Sequence, residues 1–292
     1  MAGTLFIVAT PIGNLEDITL RALRTLREVD LIAAEDTRRT LKLLSHHHIH
    51  CRMVSVHSHN EHREAPKLIA KLLAGASIAF VTDAGTPGIS DPGEHLVRLA
   101  HERGIKVTPI PGASSVVTAL SVSGLPASQF VFVGFPPRKG LDRLGWLEQI
   151  AAEDRTVVAF ESPHRIAKTL EDLRPVLGER QIQLHRELTK VNEEFVISPN
   201  ISATMNIQDD TKALGEFVLV IAPAAARDGR DQGGLVAAKA IKLVGCMTIN
   251  SDFDLDEAFE LAAKALEVEP SAVRKAWKKH RILENRKREG LS

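Results

Sequence analysis

Residues 81–93 of the chain read VTDAGTPGISDPG and follow directly on an apolar run. Three glycines and two prolines lie within this stretch, so it ends the run abruptly and carries few large side chains. Glycine permits positive φ and close approach of the backbone, whereas proline fixes the path of the chain. We therefore interpret the apolar run as a buried strand, and the stretch as a loop that grips a ligand mainly through main-chain groups.

The segments around this loop alternate between strand and helix patterns. Runs of four to eight apolar residues fall between amphipathic segments, which is typical of a parallel sheet covered by helices on both faces. A second alternating set begins after residue 127, and helical patterns at 235–245, 254–268 and 271–288 follow a polar linker at 224–234. The sequence predicts an α/β protein with domains at 1–118 and 119–224 and a linker with helical extension at 225–292.

The composition is that of a folded, two-domain protein, with 292 residues, 44% of them hydrophobic and 25% charged. No apolar run approaches the roughly 20 residues needed to cross a membrane, and no basic segment precedes the apolar residues near the N-terminus. The two cysteines, Cys51 and Cys246, stand far apart, which suits a reducing compartment. We expect a cytoplasmic protein without a signal peptide.

The formal net charge is zero, which argues against binding of nucleic acid by the whole surface. The charge is nevertheless uneven, because residues 274–288 contain eight Lys or Arg and one Glu. This segment fits either a solvated helix face or an arm that contacts phosphates.

Four loops are expected at the carboxyl ends of the first-domain strands, at residues 11–14, 35–38, 83–92 and 111–115. Open α/β sheets bind ligands at that edge. The last loop leads into a helix at Ser114 and Ser115, where free N–H groups favour a carboxylate or a phosphate. One such loop fits an ordinary tight turn, but four at one edge indicate a ligand site.

The common nucleotide and hydrolase motifs are missing from the sequence. The chain has no G-x-x-x-x-G-K-[ST], no G-x-G-x-x-G after the first strand and no G-x-S-x-G. From the residues alone, the prediction is an α/β enzyme with a ligand site lined by backbone.

Seven stretches occur in the order and with the spacing of one known family. They are ATPIGNLEDIT (9–19), AAEDTR (33–38), VTDAGTPGISDPG (81–93), PIPGASS (109–115), FVGFPPRKG (132–140), FESPHR (160–165) and RELTK (186–190). Together they resemble the ribosomal RNA small subunit methyltransferase I family, within the wider tetrapyrrole methylase fold, over residues 4–222. The resemblance implies a cofactor cleft between two α/β domains, a homodimer, and S-adenosylmethionine-dependent 2′-O-methylation of a cytidine in 16S rRNA on the 30S particle.

The same resemblance implies which residues contact the cofactor S-adenosylmethionine. They are Pro11, Ala84, Gly85, Thr86, Ile89, Ser114, Ser115, Phe160 and Glu161. Because the sulfonium of this cofactor already makes its methyl group electrophilic, we expect the reaction to need no metal. The protein has to hold the ribose oxygen, the methyl carbon and the sulfur in line, and such alignment supplies much of a rate enhancement.

A ribose hydroxyl is a weak acid, so we expect a general base to assist the transfer. The catalytic candidates within the motifs are His164, Glu161, Glu35 and Lys190, with Asp36 and Glu187 beside them. Histidine is the side chain that most readily changes charge near neutral pH, whereas lysine accepts a proton only if burial or a nearby cation lowers its pKa. The alternative role for each charged residue is an ion pair at the domain junction, and for Glu187 with Arg186 we favour that alternative.

Basic residues near the motifs and in the C-terminal helix are candidates for contact with RNA phosphates. They are Arg38, Arg138, Lys139, Arg143, Arg165, Arg186, Lys278 and Lys279. Arginine suits bidentate phosphate contact, and a nucleotide splayed out of the RNA would have to enter the cleft. A solvated loop is the alternative for Arg138, Lys139 and Arg143.

Histidines at 46–48, 50, 57, 59 and 62 invite a metal interpretation, which we reject because no Cys pattern or H-E-x-x-H accompanies them. The sequence departs from the family in three places. Ala159 and Phe160 stand where a tyrosine is common, PGASS replaces PGPSA, and residues 196–208 replace an expected Gly-Thr-Leu stretch. Two other functions fit the same sequence: a methyltransferase of this fold acting on a tetrapyrrole precursor, and a non-catalytic ribosome-assembly factor.

Overall fold

The computed structural model of the chain describes residues 2–198, 215–224, 240, 244, 254–266 and 268–288, and of residues 279 and 282–288 only the backbone. The chain divides into two compact units, Met1–Ala224 and Ala225–Ser292. Three expectations fall largely outside the described residues. They concern the linker at 225–234, the helix at 235–245 apart from residues 240 and 244, and positions 199–208 of the divergent segment.

Five parallel strands form the first sheet of the unit Met1–Ala224. They are β1 Thr4–Val8, β2 Leu31–Ala34, β3 Met53–Ser55, β4 Ile78–Val81 and β5 Lys106–Ile110. The helices between them are α1 Leu20–Glu28, after a 3₁₀ turn at Leu15–Asp17, and then α2 Thr37–His46, α3 Glu61–Leu73 and α4 Glu94–Glu102. The strand order β3-β2-β4-β1-β5, with every pair parallel, confirms the predicted α/β architecture.

Helices cover both faces of this sheet. In the central strand β4, Ile78 and Phe80 belong to the core formed with α3 and α4, whereas Ala79 and Val81 belong to the core formed with α1 and α2. All four side chains are fully buried, which explains why the strand is a continuous apolar run. Because helices cover both faces of the sheet, a ligand can reach it only at the ends of its strands.

The helix α5 Ser115–Ser123 leads from β5 into the second sheet. That sheet consists of β6 Phe130–Phe132, β7 Thr156–Glu161, β8 Ile182–Arg186, β9 Glu194–Ser198 and β10 Phe217–Ile221, with α6 Gly140–Ala152 and α7 Ile166–Leu177 between its strands. The strand order is β6-β7-β10-β8-β9, and only the β6–β7 pair is parallel. The sequence does not predict the strand β9. The stretch GWLEQIAAE at 145–153 predicts a helix there, whereas α6 begins five residues earlier, at Gly140.

The helix α5 connects the two halves physically as well as in sequence. It follows the first sheet, yet its residues Val116, Ala119 and Leu120 share a core with Val158 and Val218 of the second sheet. The expected domain boundary after residue 118 therefore falls inside a helix, and the division at that residue stays a proposal.

In the unit Ala225–Ser292, the helix α8 Leu255–Ala265 packs on the helix α9 Pro270–Arg288. Ala258, Ala262 and Val273 are buried in their shared core. The rings of Phe259 and Trp277 meet edge to face with centroids 6.4 Å apart. Among the residues that the structure describes, no helix is both long and apolar enough to cross a membrane.

Candidate active site

The glycine loop, defined here as residues 82–93, follows β4 and is hydrogen-bonded to the segment that follows β1. Thr10 and Gly85 exchange two backbone hydrogen bonds, of 2.9 and 3.0 Å. Gly85 has a φ of +77°, a conformation that residues with a side chain rarely adopt. Gly93 is needed for a different reason, because a Cβ there would stand 2.7 Å from the Phe80 ring. The backbone of the loop is thus fixed before any ligand binds.

A cavity of about 300 Å³ lies beside the glycine loop, between the edge of the first sheet and the second sheet. Its wall is formed by Ile12, Ala84, Gly85, Thr86, Ile89, Ser90, Asp91, Ser114, Ser115, Val116, Phe135, Phe160, Glu161, Ser162, Pro163, Leu188, Glu216, Phe217 and Val218. Eight of the nine expected cofactor residues lie on this wall. The exception is Pro11, which is buried; its neighbour Ile12 lies on the wall instead.

The wall combines apolar side chains with exposed main-chain groups. Ile12, Val116 and Leu188 supply apolar surface. Ser114 is the N-cap of α5 but makes no side-chain capping hydrogen bond, so the N–H groups of the first turn remain available to a ligand. The donor set and the apolar surface together fit S-adenosylmethionine, whose adenine is a flat ring that can pack on apolar side chains and whose methionine end carries a carboxylate.

Glu161 ends β7 on the cavity wall, but its carboxylate already has three donors. Its side chain is 0% exposed, and its oxygens accept hydrogen bonds from Thr169 Oγ1 at 2.5 Å and from the Ser162 N–H at 2.8 Å. Arg165 Nε lies 3.5 Å away. An acceptor satisfied in this way anchors its surroundings and is poorly placed to take a substrate proton.

Arg143 is 8% exposed, which contradicts the expected contact with RNA. Its guanidinium donates to Asp172 Oδ2 at 2.7 Å, to Thr169 Oγ1 at 3.0 Å and to the Pro137 carbonyl at 2.8 Å. Because Thr169 in turn donates to Glu161, a continuous polar network runs from the cavity wall to the loop that precedes α6.

Arg165 joins the same network and is not free for phosphate contact either. It donates to the Pro136 carbonyl at 2.5 Å and lies beside Glu161. Pro136 is buried, and its neighbour Phe135 lies on the cavity wall. Arg143 and Arg165 therefore hold the loop at residues 134–140 in place, and this is a different role from the predicted one.

Glu35 and Arg38 lie near the strand ends but not on the cavity wall. Burial raises the pKa of Glu35, although its carboxylate accepts a hydrogen bond from the Asp83 N–H at 3.2 Å. The Arg38 side chain is 87% exposed and pairs with Asp36 at 2.7 Å. That hydrogen-bonded pair lowers the pKa of Asp36. Arg38 therefore pairs with Asp36 and not with Glu35, the partner that the ion-pair alternative gave it, and Glu35 does not lie on the cavity wall.

Lys190 is a cation held between two carboxylates. Its Nζ lies 2.8 Å from Glu187 and 3.6 Å from Glu216. Partial burial alone would lower the pKa of Lys190, but these two partners together raise it above its ordinary value. A lysine that stays protonated does not act as the general base, which contradicts the catalytic role considered for it.

The remaining predicted residues lie on the surface. His164, Arg138, Lys139 and Lys278 are exposed, and His164 is not on the cavity wall. Arg186 pairs with Glu194 at 3.4 Å, not with the expected Glu187. The side chain of Lys279 lies outside the described residues. Within the described part of the chain, no three His, Cys, Asp or Glu residues are grouped so as to hold a metal ion.

The sequence analysis did not identify several residues of the cavity wall. Asp91 and Ser90 lie in the same motif as Gly85, so the motif was a signal that they share the site. Phe135 and Leu188 likewise lie in the FVGFPPRKG and RELTK stretches. Glu216, by contrast, stands just before β10, and nothing local marks it, because its place depends on strand pairing across the second sheet.

Comparison with known proteins agrees with this geometry. Residues 4–202 match the family model described as Tetrapyrrole (Corrin/Porphyrin) Methylases. The chain is 48% identical over 248 residues to a ribosomal RNA small subunit methyltransferase I of Haemophilus influenzae, covering 84% of this chain and 87% of that protein. It is 43% identical over 265 residues to the protein of the same name from Pseudomonas aeruginosa, covering 90% and 92%.

A solved structure shows the same fold. It is the uroporphyrin-III C-methyl transferase of Thermus thermophilus complexed with S-adenyl homocysteine, with a TM-score of 0.53 and 18% identity, covering 75% of this chain and 97% of that one. At this level of identity the similarity supports the fold only.

Proposed function

Since the chain belongs to the tetrapyrrole methylase family, and within it to the ribosomal RNA small subunit methyltransferases I, we propose that it methylates the ribose 2′-hydroxyl of a cytidine in 16S rRNA with S-adenosylmethionine as donor. The substrate in this proposal is the assembled 30S subunit in the cytoplasm, and the active form is a homodimer. The family relationship establishes an rRNA methyltransferase; the particle, the compartment and the dimer are the finer parts of the proposal.

One observation carries the proposal: six of the seven family stretches contribute to the wall of a single cavity. These stretches are spread over about 180 residues of sequence, and the fold brings them together at the edge of the first sheet. Only AAEDTR, at 33–38, has no residue on the wall.

The cofactor is assigned to this cavity by the fit of its parts. In this proposal the N-terminus of α5, with Ser114 and Ser115, binds the carboxylate of the methionine moiety, and its position on the cavity wall supports that role. The backbone of the glycine loop at Ala84 and Gly85 and the apolar side chain of Ile12 suit the remainder of the molecule. When bound, S-adenosylmethionine supplies a methyl group that its sulfonium makes electrophilic. The chain therefore has to bind the donor, orient it toward the acceptor and exclude water.

Aromatic side chains define the mouth of the cavity. Phe160 contacts the Phe132 and Phe135 rings edge to face, with centroids 4.8 and 5.5 Å apart. Phe135 is 51% exposed although it lies on the wall. An exposed ring at the entrance suits stacking of an unstacked base, which is how single-stranded nucleotides are commonly held. Arg138 and Lys139 follow in the same loop and are exposed, which supports the proposal that they contact RNA phosphates.

The test is transfer of a labelled methyl group from S-adenosylmethionine to three acceptors: isolated 30S particles lacking the modification, free 16S rRNA and a porphyrinogen. The proposal predicts label in the rRNA of the 30S particles, recovered as 2′-O-methylcytidine after digestion to nucleosides. Label in the porphyrinogen would instead establish a tetrapyrrole methyltransferase. Binding to 30S particles without any transfer would establish a non-catalytic assembly factor.

A further inference from the structure

None of the four catalytic residues predicted from sequence is suited to accept the proton in the proposed reaction. Glu161 is saturated with donors, Lys190 is held as a cation, and neither His164 nor Glu35 lies on the cavity wall. A base must lie within hydrogen-bond reach of the hydroxyl from which it takes the proton, directly or through one water. The cavity wall itself is therefore the place to look for it.

Asp91 is a carboxylate on that wall without a cationic partner. It lies in the glycine loop immediately after Ser90, whose φ is +61°. Within the described part of the chain, no Lys or Arg forms an ion pair with Asp91. A Cβ on Gly134 would stand 3.4 Å from Ser90 Oγ. This turn of the loop therefore reaches across the cleft to the second sheet, where Phe135 frames the mouth.

We propose that Asp91 is the catalytic base, an inference that rests on the proposed function: its carboxylate accepts the proton of the ribose 2′-hydroxyl during methyl transfer. The new bond joins the ribose oxygen to the methyl carbon. The bond between that carbon and sulfur breaks, and its electron pair remains on sulfur. The hydroxyl proton passes to the Asp91 carboxylate and from there to solvent at the open mouth, so atoms and charges balance.

The surroundings of Asp91 suit a proton acceptor working near neutral pH. Burial raises its pKa to about 6, and the charges of Glu35, Asp83 and Glu216 act in the same direction, while the nearby Thr82 hydroxyl partly opposes them. Glu161 adds a further carboxylate on the same wall. A base is most effective when its pKa lies near the working pH, and the lack of a cation beside Asp91 keeps it there.

The experiment compares the wild-type protein with Asp91→Asn and Asp91→Glu in single-turnover methyl transfer to 30S particles between pH 5 and 9. The wild-type rate is expected to rise with pH through a midpoint near 6. Asp91→Asn should be about 100-fold slower at pH 7.5 and lose that rise. Asp91→Glu should regain part of the rate and the rise. Asp142→Asn, the same change on the exposed start of α6, serves as control and should match the wild type.

Two further measurements separate a base from a binding or structural residue. Calorimetric titration with S-adenosylhomocysteine should give the same affinity for wild type and Asp91→Asn, and the thermal midpoints should agree. In ¹³C-aspartate spectra of the cofactor-free protein, the Asp91 carboxyl signal, identified by its loss in Asp91→Asn, should titrate near pH 6.

Three outcomes overturn the inference. One is an Asp91→Asn rate equal to that of the wild type, and another is an unchanged pH profile in that variant. The third is a fall in cofactor affinity as large as the fall in rate, which would make Asp91 a cofactor contact. Absence of transfer by the wild-type protein would overturn the proposed function itself and this inference with it.

Discussion

Gly85 presents its backbone, not a side chain, to the cavity. The residue has positive φ, exchanges two hydrogen bonds with Thr10 and lies between Ile12 and the Ala113 carbonyl. The sequence was sufficient to predict this residue, because a glycine in a short loop after a buried strand usually marks positive φ or a close approach of the backbone. Charged side chains were harder to predict, since their roles depend on partners that are distant in sequence.

Gly85→Val tests the role of this backbone. Valine at a φ of +77° introduces strain of about 1–3 kcal/mol and a side chain where the ligand approaches. We expect S-adenosylhomocysteine binding, measured by calorimetry, to weaken by at least about tenfold. Gly104→Val is the matched control, because Gly104 also has positive φ, at +63°, but has open space around it and lies away from the cavity. It should lose stability and keep affinity; unchanged affinity in Gly85→Val would remove the loop from the site.

His185 in β8 makes a second prediction at the residue scale. It is 1% exposed, and in the described part of the chain neither ring nitrogen has a hydrogen-bond partner. Burial lowers its pKa to about 4, below the value of about 6.5 in an unfolded chain. Its contribution to stability is therefore complete above pH 6.5 and declines as the pH falls toward 4, by at most about 3 kcal/mol.

Urea unfolding of the wild type and of His185→Leu at pH 7.5, 6 and 5 measures this effect. The stability of the wild type should fall more steeply over this range than that of the variant. Parallel pH dependences for the two proteins would show that His185 is not the buried, neutral group described above.

At the scale of the element, the loop at 134–140 illustrates where prediction from sequence stops. The basic residues Arg138, Lys139 and Arg143 looked equivalent in sequence, since all three follow FVGFPP. In the structure the first two are exposed, whereas Arg143 lies on α6 and turns inward to Asp172. The distinction arises because α6 begins at Gly140, earlier than the pattern indicated.

Arg143→Ala and Arg138→Ala form a matched pair that tests this distinction. Removing Arg143 breaks its hydrogen bonds to Asp172, Thr169 and the Pro137 carbonyl and leaves Asp172 with Lys168 as its cationic partner. We expect a loss of about 2 kcal/mol in the free energy of unfolding. Arg138→Ala should change stability by less than about 0.5 kcal/mol and weaken binding to 30S particles. Urea unfolding and a particle-binding assay give both readouts. Equal stability of the two variants would contradict the buried network.

Some strands can be predicted from their own residues, whereas others depend on a partner strand that is distant in sequence. The parallel sheet was predictable, because its strands are buried on both faces and are therefore apolar throughout. The strand β9 was not, because three of its five residues, Glu194, Phe195 and Ile197, are exposed. Its formation depends on pairing with β8, including the opposed residues His185 and Phe195, and no local pattern reveals such a partner.

At the scale of the whole molecule, the neutral net charge conceals a basic helix. The helix α9 carries all eight basic residues of 274–288, although Arg274 pairs with Glu260 and Asp256 on α8. Lys275, Lys278 and Arg281 are exposed and are candidates for contact with RNA phosphates. Such contacts make the affinity depend on salt.

Replacing Lys275, Lys278, Lys279 and Arg281 together by glutamine tests this arm. Binding to 30S particles should weaken, and the slope of log affinity against log salt should become shallower by about 0.7–0.9 for each phosphate that the variant no longer neutralises. The control replaces four exposed residues of the first-sheet half, Lys42, Lys71, Arg103 and Lys106. An unchanged slope in the first variant would show that α9 does not contact RNA.

We propose that the methyl donor binds in the cavity between the two sheets. A crystal structure of the protein with S-adenosylhomocysteine tests this central claim most directly. We predict that the methionine carboxylate lies at the N-terminus of α5 beside Ser114, and that the ligand contacts the backbone of Gly85. A ligand bound away from these residues, or a cavity that stays empty at saturating ligand, would contradict the claim.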